Sequence, residues 1–219
     1  MRRAVICFTR VPRPGVTKTR LLPVLSPKQC AALHTAFLKD LARVYRELDA
    51  ALFVAYAPDP DWALLKDIFP MASAFFPLTG ESLGERMDAA ICHVLSMGFE
   101  RVILTGTDLP MMGRRHLESG FSALDLSDVV LGPTPDGGYY LVGAKAPCTA
   151  VFEEQQYGGG NVYENTVKAA ERAGLSLGQA LPCGDVDTPE DLRRLVLQAD
   201  PESHTGWFLA ALKKEGHLL

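Results

Sequence analysis

The sequence predicts an α/β fold with a mostly parallel central sheet and an antiparallel strand in its second half. Three observations predict it. Apolar, strand-like runs alternate with segments of helical periodicity. Two strand-like runs follow one another near 128–143 with no helix between them, which suggests the antiparallel strand. No internal repeat and no linker interrupts the 219 residues, so one domain is expected over 1–219.

Each element has local grounds. Residues 3–9, with "AVICF" at their centre, read as a buried strand. "SPKQCAALHTAFLKDLARVYREL" reads as a helix with Ser26 as N-cap and Pro27 in its first turn. Its core face is Leu33, Phe37, Leu41, Val44 and Leu48. "ALFVAY" (51–56) is a strand, "DWALLKDIF" a short helix and "ASAFF" (72–76) a weak strand. "SLGERMDAAICHVLSMG" is a long helix stopped by Gly98, with Leu83, Met87, Ala90, Ile91, Val94 and Leu95 in its stripe. Leu83 and Met87 are therefore expected in the core. "RVILTG" (101–106) is a strand, "RRHLESGFSAL" a helix, and "DVVLGPT" and "GYYLVGA" are strands. "NVYENTVKAAERAG" is a helix that ends at Gly174. "TPEDLRRLVLQA" is a helix with Thr188 as N-cap, Pro189 at its first position and Asp191 where a capping box places Glu. A last helix is expected over about 203–216.

Composition narrows the function. A hydrophobic fraction of 47% supports one buried core, and a net charge of −4 argues against a nucleic-acid surface. After "MRR" too few apolar residues follow for a signal segment or a membrane span. Cys7, Cys30, Cys92, Cys148 and Cys183 are scattered without C-x-x-C spacing. Neither a zinc site nor a disulfide framework is expected, and reduced thiols in the cytoplasm are.

Charge is unevenly spread. Eight cations precede the first carboxylate, Asp40: Arg2, Arg3, Arg10, Arg13, Lys18, Arg20, Lys28 and Lys39. The loop "TRVPRPGVTKTRL" therefore predicts a local anion site. Gly15 permits close backbone approach, Thr17 and Thr19 offer hydroxyls, and Lys18 and Arg20 suit phosphate as a point charge and a fork. The loop matches neither the Walker nor the dinucleotide-binding pattern.

Three further polar clusters follow strands, where ligands of open α/β sheets bind. In "LTGTDLP", Asp108 is either a cap or a magnesium ligand. In "GPTPDGGYYLVG", Asp136, Gly137, Gly138 and Tyr139 form either a hairpin turn or a surface for substrate. In "CGDVDTPEDL", Asp185 and Asp187 point to one side if extended. Asp187 is either a partner of the helix dipole or a second carboxylate for the metal at Asp108.

"KTRL", "LGERM", "GTDLP", "DGGYYL" and "DVDTPEDL", in this order from about Arg3 to Leu195, resemble a family of small bacterial nucleotide-diphospho-sugar transferases, also described as glycosyltransferase-A-like. The first loop is similar to that of 2-phospholactate guanylyltransferases, and "DVDTPEDL" to the metal-holding end of molybdenum-cofactor guanylyltransferases. The resemblance implies a Rossmann-like glycosyltransferase-A fold. It places Thr9, Arg10, Gly15, Thr17, Lys18, Arg20 and Thr107 on the nucleotide, with Glu81 and Arg86 near base and ribose. It puts Mg²⁺ (or Mn²⁺) on Asp108 and Asp187, and the acceptor at Asp136, Gly137, Gly138 and Tyr139. Lys18, Arg20 and Asp108 are the implied catalytic groups. The chain departs from such families in two places. Gly106 stands where Asp-x-Asp has its first Asp, and "YGGGNV" (157–162) replaces Trp-Gly-Thr.

The expected partners are thus a nucleotide or nucleotide sugar and a small acceptor, with no nucleic acid and no membrane span. Three readings follow. One is Mg²⁺-dependent nucleotidyl transfer from a nucleoside triphosphate, with pyrophosphate leaving. The second is glycosyl transfer from a nucleotide sugar. The third is a nucleotide-binding module without turnover.

Overall fold

The computed structural model describes residues 2–153, 155–214 and 216. Strands β1 (Arg3–Thr9), β2 (Ala51–Tyr56), β3 (Ala74–Pro77), β4 (Arg101–Thr105), β5 (Val129–Pro133), β6 (Tyr139–Ala144) and β7 (Leu177–Gln179) form one sheet in the order β3-β2-β1-β4-β6-β5-β7. β6 runs antiparallel to β4 and β5, while the pairs β1·β2, β1·β4, β2·β3 and β5·β7 are parallel. The expected mostly parallel sheet with an antiparallel strand in its second half is therefore what forms. β7 is an additional strand that the sequence reading did not include.

Helices are α1 (Pro27–Arg46), α2 (Leu64–Ile68), α3 (Leu83–Ser96), α4 (Arg114–Leu126), α5 (Val162–Arg172), α6 (Pro189–Gln198) and α7 (His204–Lys214). Their ends follow the predicted chemistry. Ser26 and Thr188 close capping boxes on α1 and α6, each with proline in the first turn. Gly98 follows α3 at φ 83°, a conformation open to glycine without a Cβ clash. The predicted last helix begins at His204 and is observed to Lys214; Glu215 in its expected range lies outside the described residues.

The sheet is covered on both faces, so its central strands are apolar on both. Val5 and Cys7 of β1 pack with Leu38, Leu41 and Tyr45 of α1 and with Leu117 and Phe121 of α4. Ala4 and Ile6 face the other way, toward Met87, Ile91 and Val94 of α3. A third apolar cluster lies on the outer side of α1, where Leu33 and Phe37 meet Leu192, Leu195, Leu209 and Leu212 of α6 and α7. Asp40 joins this layer to the rest: its carboxylate accepts the free amides of His204 and Thr205 at 2.8 and 2.9 Å, capping α7 from α1. None of the described helices is long and apolar enough to cross a membrane.

This architecture positions one cleft. Parallel strands β1, β2, β3 and β4 all end on the same edge of the sheet. The residues that follow them (Arg10, Ala57, Leu78 and Gly106 to Asp108) line that edge. The turn into the antiparallel β6 and the segment before α6 reach it from the other side.

Candidate active site

The basic loop is built in two halves. Its first half is a surface turn. Val16 donates to the Arg13 carbonyl at 3.2 Å across Gly15, whose φ is 77°. Arg13 is tied to Asp59 at 2.7 Å and lies outside the cleft lining. The second half turns inward. Lys18 has φ 55° and ψ 36°, and among the described residues no other non-glycine has positive φ. Such a conformation costs a side-chain-bearing residue roughly 1 kcal/mol or more. What offsets it is the placement of the side chain. A 3₁₀ turn (Thr19–Leu21) follows, and fully buried Leu21 anchors it in the α1–α6–α7 cluster.

Lys18 is accordingly not a surface cation: its side chain is 2% exposed. Nζ donates to the Val186 carbonyl at 2.6 Å, and lies 2.5 Å from Asp108 Oδ1 and 3.4 Å from Asp187 Oδ1. It sits 5.1 Å from the centre of the Phe37 ring. The segment before α6 is docked on the strand-end loop by a backbone bond from Val186 N–H to the Asp108 carbonyl, 2.9 Å. A lysine on a Pro/Gly loop would ordinarily be solvated; closure of the 185–187 segment buries this one.

Asp187 is further held by Arg20 at 3.4 Å, from a side chain that is 72% exposed. Burial, and then the neighbouring Asp108, push the Asp187 carboxyl above its ordinary range, against the pull of Lys18 and Arg20. Asp185 is pushed up to about 6, by burial first and then by Asp187, Asp136 and Asp108. With Val186 buried between them, Asp185 and Asp187 both face the cleft, as an extended segment predicts, but they line different parts of it.

The cleft has two compartments that meet at Gly106, Thr107 and Asp108. The larger, about 500 Å³, is lined by Thr9, Arg10, Thr17 to Arg20, His34, Arg86 and Asp187. The smaller, about 230 Å³, is lined by Asp136, Gly138, Tyr139, Tyr140 and Asp185 together with apolar Leu104 and Leu109. Phe8 and Leu83 border both.

Most of the expected residues are thus gathered in one place. Three are not in the lining. Gly15 serves the outer turn, and a Cβ there would meet nothing. Glu81 is exposed, with its amide donating to Glu85 at 2.9 Å. Gly137 has φ 84° and packs on the Gly160 carbonyl, while its own carbonyl accepts the Tyr163 amide at 2.9 Å. It joins the turn before β6 to the "YGGGNV" loop and contributes no surface to the cleft. Thr17 does border the larger compartment, but its hydroxyl is buried without a partner.

Other lining residues were not anticipated. Leu83 was expected in the core; it is 43% exposed, because it stands at the first turn of α3 where the helix meets the cleft. Met87, one turn on, is buried as expected and touches the smaller compartment. His34 on α1 lies at the floor of the larger compartment, with Nε2 at 3.4 Å from Thr107 Oγ1 and 3.5 Å from Thr9 Oγ1. Burial, then Lys18 and Arg10, lower it to about 3, so its imidazole is neutral. Its helical spacing from Phe37 and Leu41 marked a buried face, which was the available signal.

Residues 40–159 match the family described as "Uncharacterized protein conserved in bacteria (DUF2064)". The chain belongs to this family. A protein of solved structure, a "putative nucleotide-diphospho-sugar transferase" from Desulfovibrio desulfuricans G20, is 31% identical, with a TM-score of 0.90 over 100% of both chains. The 2-phospho-L-lactate guanylyltransferase of Methanothermobacter thermautotrophicus is 26% identical over 90% of this chain and 85% of its own. The 4-diphosphocytidyl-2C-methyl-D-erythritol synthase of Anaerococcus prevotii shares the fold, with a TM-score of 0.58 at 14% identity over 90% of this chain and 96% of the other. This member of the family is a transferase of the glycosyltransferase-A-like, nucleotidyltransferase fold.

Proposed function

We propose that the chain transfers a nucleotidyl group from a nucleoside triphosphate to a small acceptor, with Mg²⁺ or Mn²⁺ at Asp108 and Asp187. The observation that carries this reading is the junction of the two compartments, where a group of cationic side chains and a pair of facing carboxylates meet. The family relation to a guanylyltransferase along 90% of the chain supports it.

The donor set fits a hard divalent cation. Two carboxylates without histidine or thiolate suit an ion that keeps water and phosphate oxygens as its other ligands. The pair already faces one cation, the Lys18 ammonium, at 2.5 and 3.4 Å. When bound, the metal would neutralise charge on the reacting phosphates.

The protein's own groups do the rest. Arg10, Lys18, Arg20 and Arg86 line the compartment that takes the triphosphate. Neutral His34, beside the hydroxyls of Thr9 and Thr107, adds no charge to the floor of this compartment. In the reaction an acceptor oxygen bonds to the α-phosphorus as the bond from that phosphorus to the bridging oxygen breaks. The electron pair leaves on pyrophosphate, and the acceptor's proton passes to a carboxylate of the smaller compartment or to water. Catalysis is then positioning and charge stabilisation.

A second reading, glycosyl transfer from a nucleotide sugar, is favoured by the 31% identical relative described as a nucleotide-diphospho-sugar transferase. The missing first Asp of Asp-x-Asp, at Gly106, argues for nucleotidyl transfer. Incubation of each nucleoside triphosphate and each common nucleotide sugar with Mg²⁺ and an acceptor panel separates them. Pyrophosphate release supports the first reading, and release of a nucleoside diphosphate supports the second. Binding to neither donor class in a thermal-shift assay would remove both.

A further inference from the structure

The two compartments differ in charge in a way that bears on the acceptor. The larger has four cationic side chains in its lining, Arg10, Lys18, Arg20 and Arg86. Among the described residues that line the smaller one, none is lysine, arginine or histidine. It has two carboxylates of its own instead, Asp136 and Asp185, with Asp108 at the shared edge, where it pairs with Lys18. Asp136 is fixed in place, accepting from Thr134 Oγ1 at 2.5 Å and from the Gly138 amide at 3.1 Å. Lys18 and Arg20 line only the larger compartment, the first bonded to Asp108 and the Val186 carbonyl and the second paired with Asp187. Apart from Thr107, Thr134 and two glycines, the rest of the lining is apolar and aromatic, with Phe8, Leu83, Leu104, Leu109, Tyr139 and Tyr140 the largest part.

We propose that the smaller compartment selects an acceptor that bears hydroxyl groups and no phosphate or carboxylate, and that presents one apolar face. Fixed carboxylates accept hydroxyl protons and repel anions, while aromatic walls suit the C–H face of a polyol. A volume of about 230 Å³ suits a molecule of roughly single-ring size. The acceptor would thus differ in charge from the phosphorylated lactate in the name of the guanylyltransferase relative. This inference rests on the transferase reading for its word "acceptor", but it holds whichever group is transferred.

The test uses the full chain with Mg²⁺ and saturating inorganic tripolyphosphate, which occupies the cationic compartment. Two matched probes, myo-inositol and myo-inositol 1-phosphate, are titrated and followed by ligand-observed NMR. The neutral probe should bind at least about tenfold more tightly, the scale of one unscreened like-charge contact. In Asp136→Asn/Asp185→Asn the gap should close by about the same factor, and the single Asp185→Asn variant should close part of it. Equal or tighter binding of the phosphate probe to the wild type, an unchanged gap in the variants, or no binding of either probe would overturn the proposal. Failure of tripolyphosphate and nucleotides to shift the melting temperature while the gap persists would instead remove the functional reading and leave this one standing.

Discussion

Replacing Lys18 by Met tests whether the lysine holds the site together or only awaits a phosphate. Met keeps the apolar stem against Phe37 and removes the charge. Breaking one side of a fully enclosed ion pair costs about 3–5 kcal/mol. Here the orphaned partners are 40% (Asp108) and 34% (Asp187) exposed, so water takes up part of their charge. A loss of about 2 kcal/mol at pH 7 is expected, including the charge-assisted bond to the Val186 carbonyl. For a chain of this size that lowers Tm by about 4–8 °C. The loss should depend on pH. Without Lys18, Asp187 loses a cation that pulls its carboxyl down, so that carboxyl stands further above its unfolded value of about 3.9. The folded state then holds the extra proton more tightly, so the deficit is small at low pH and grows as pH rises through the raised value. Urea titrations at pH 4 and pH 7 measure this, with Arg20→Ala as a control whose 72% exposed side chain should change stability by less than about 0.5 kcal/mol. Mg²⁺ alone should stabilise the Met variant more than the wild type. A deficit below about 0.5 kcal/mol at pH 7, or one equal at pH 4 and pH 7, refutes the reasoning.

Asp108→Asn and Asp187→Asn should each abolish the Mg²⁺-dependent part of nucleotide affinity, and the double variant should lose little more; calorimetric titrations showing additive losses would mean that the two do not share an ion. His34, neutral when folded at about 3 and near 6.5 when unfolded, makes the wild type less stable as pH falls through 6.5. The cost is about 2 kcal/mol by pH 5, and His34→Gln should flatten that slope in denaturation curves taken from pH 8 to pH 5. Gly137→Ala should lower stability by about 2 kcal/mol, because φ is 84° and a Cβ would strike the Gly160 carbonyl. Faster proteolysis of the 157–162 loop would report the same loss of docking, and an unchanged Tm would contradict it.

Much of this molecule was decided locally. Ser26 with Gln29 and Thr188 with Asp191 form their capping boxes within four residues of chain, so the starts of α1 and α6 could be read directly. The apolar periods of α1 and α3 and the helix-free interval before β6 likewise carry their own information, and they give the α/β class and its antiparallel strand. The charge asymmetry singled out the first loop, part of which lines the cleft, because eight cations before the first carboxylate is a property of order along the chain.

Tertiary structure decided the rest. β7 is three residues, Leu-Gly-Gln, with no strand signal of its own; parallel pairing with β5 makes it a strand. Lys18 looks like a solvated cation on a Pro/Gly loop, and what buries it lies 168 residues away at the Val186 carbonyl. Asp185 and Asp187 differ by one pleat position along the chain, yet one lines the acidic compartment and the other the cationic one. Each of these depends on which distant segment closes over a residue. Caps and periodicity are satisfied within a turn or two of chain, whereas burial and the sign of the local field are sums over everything the fold brings near.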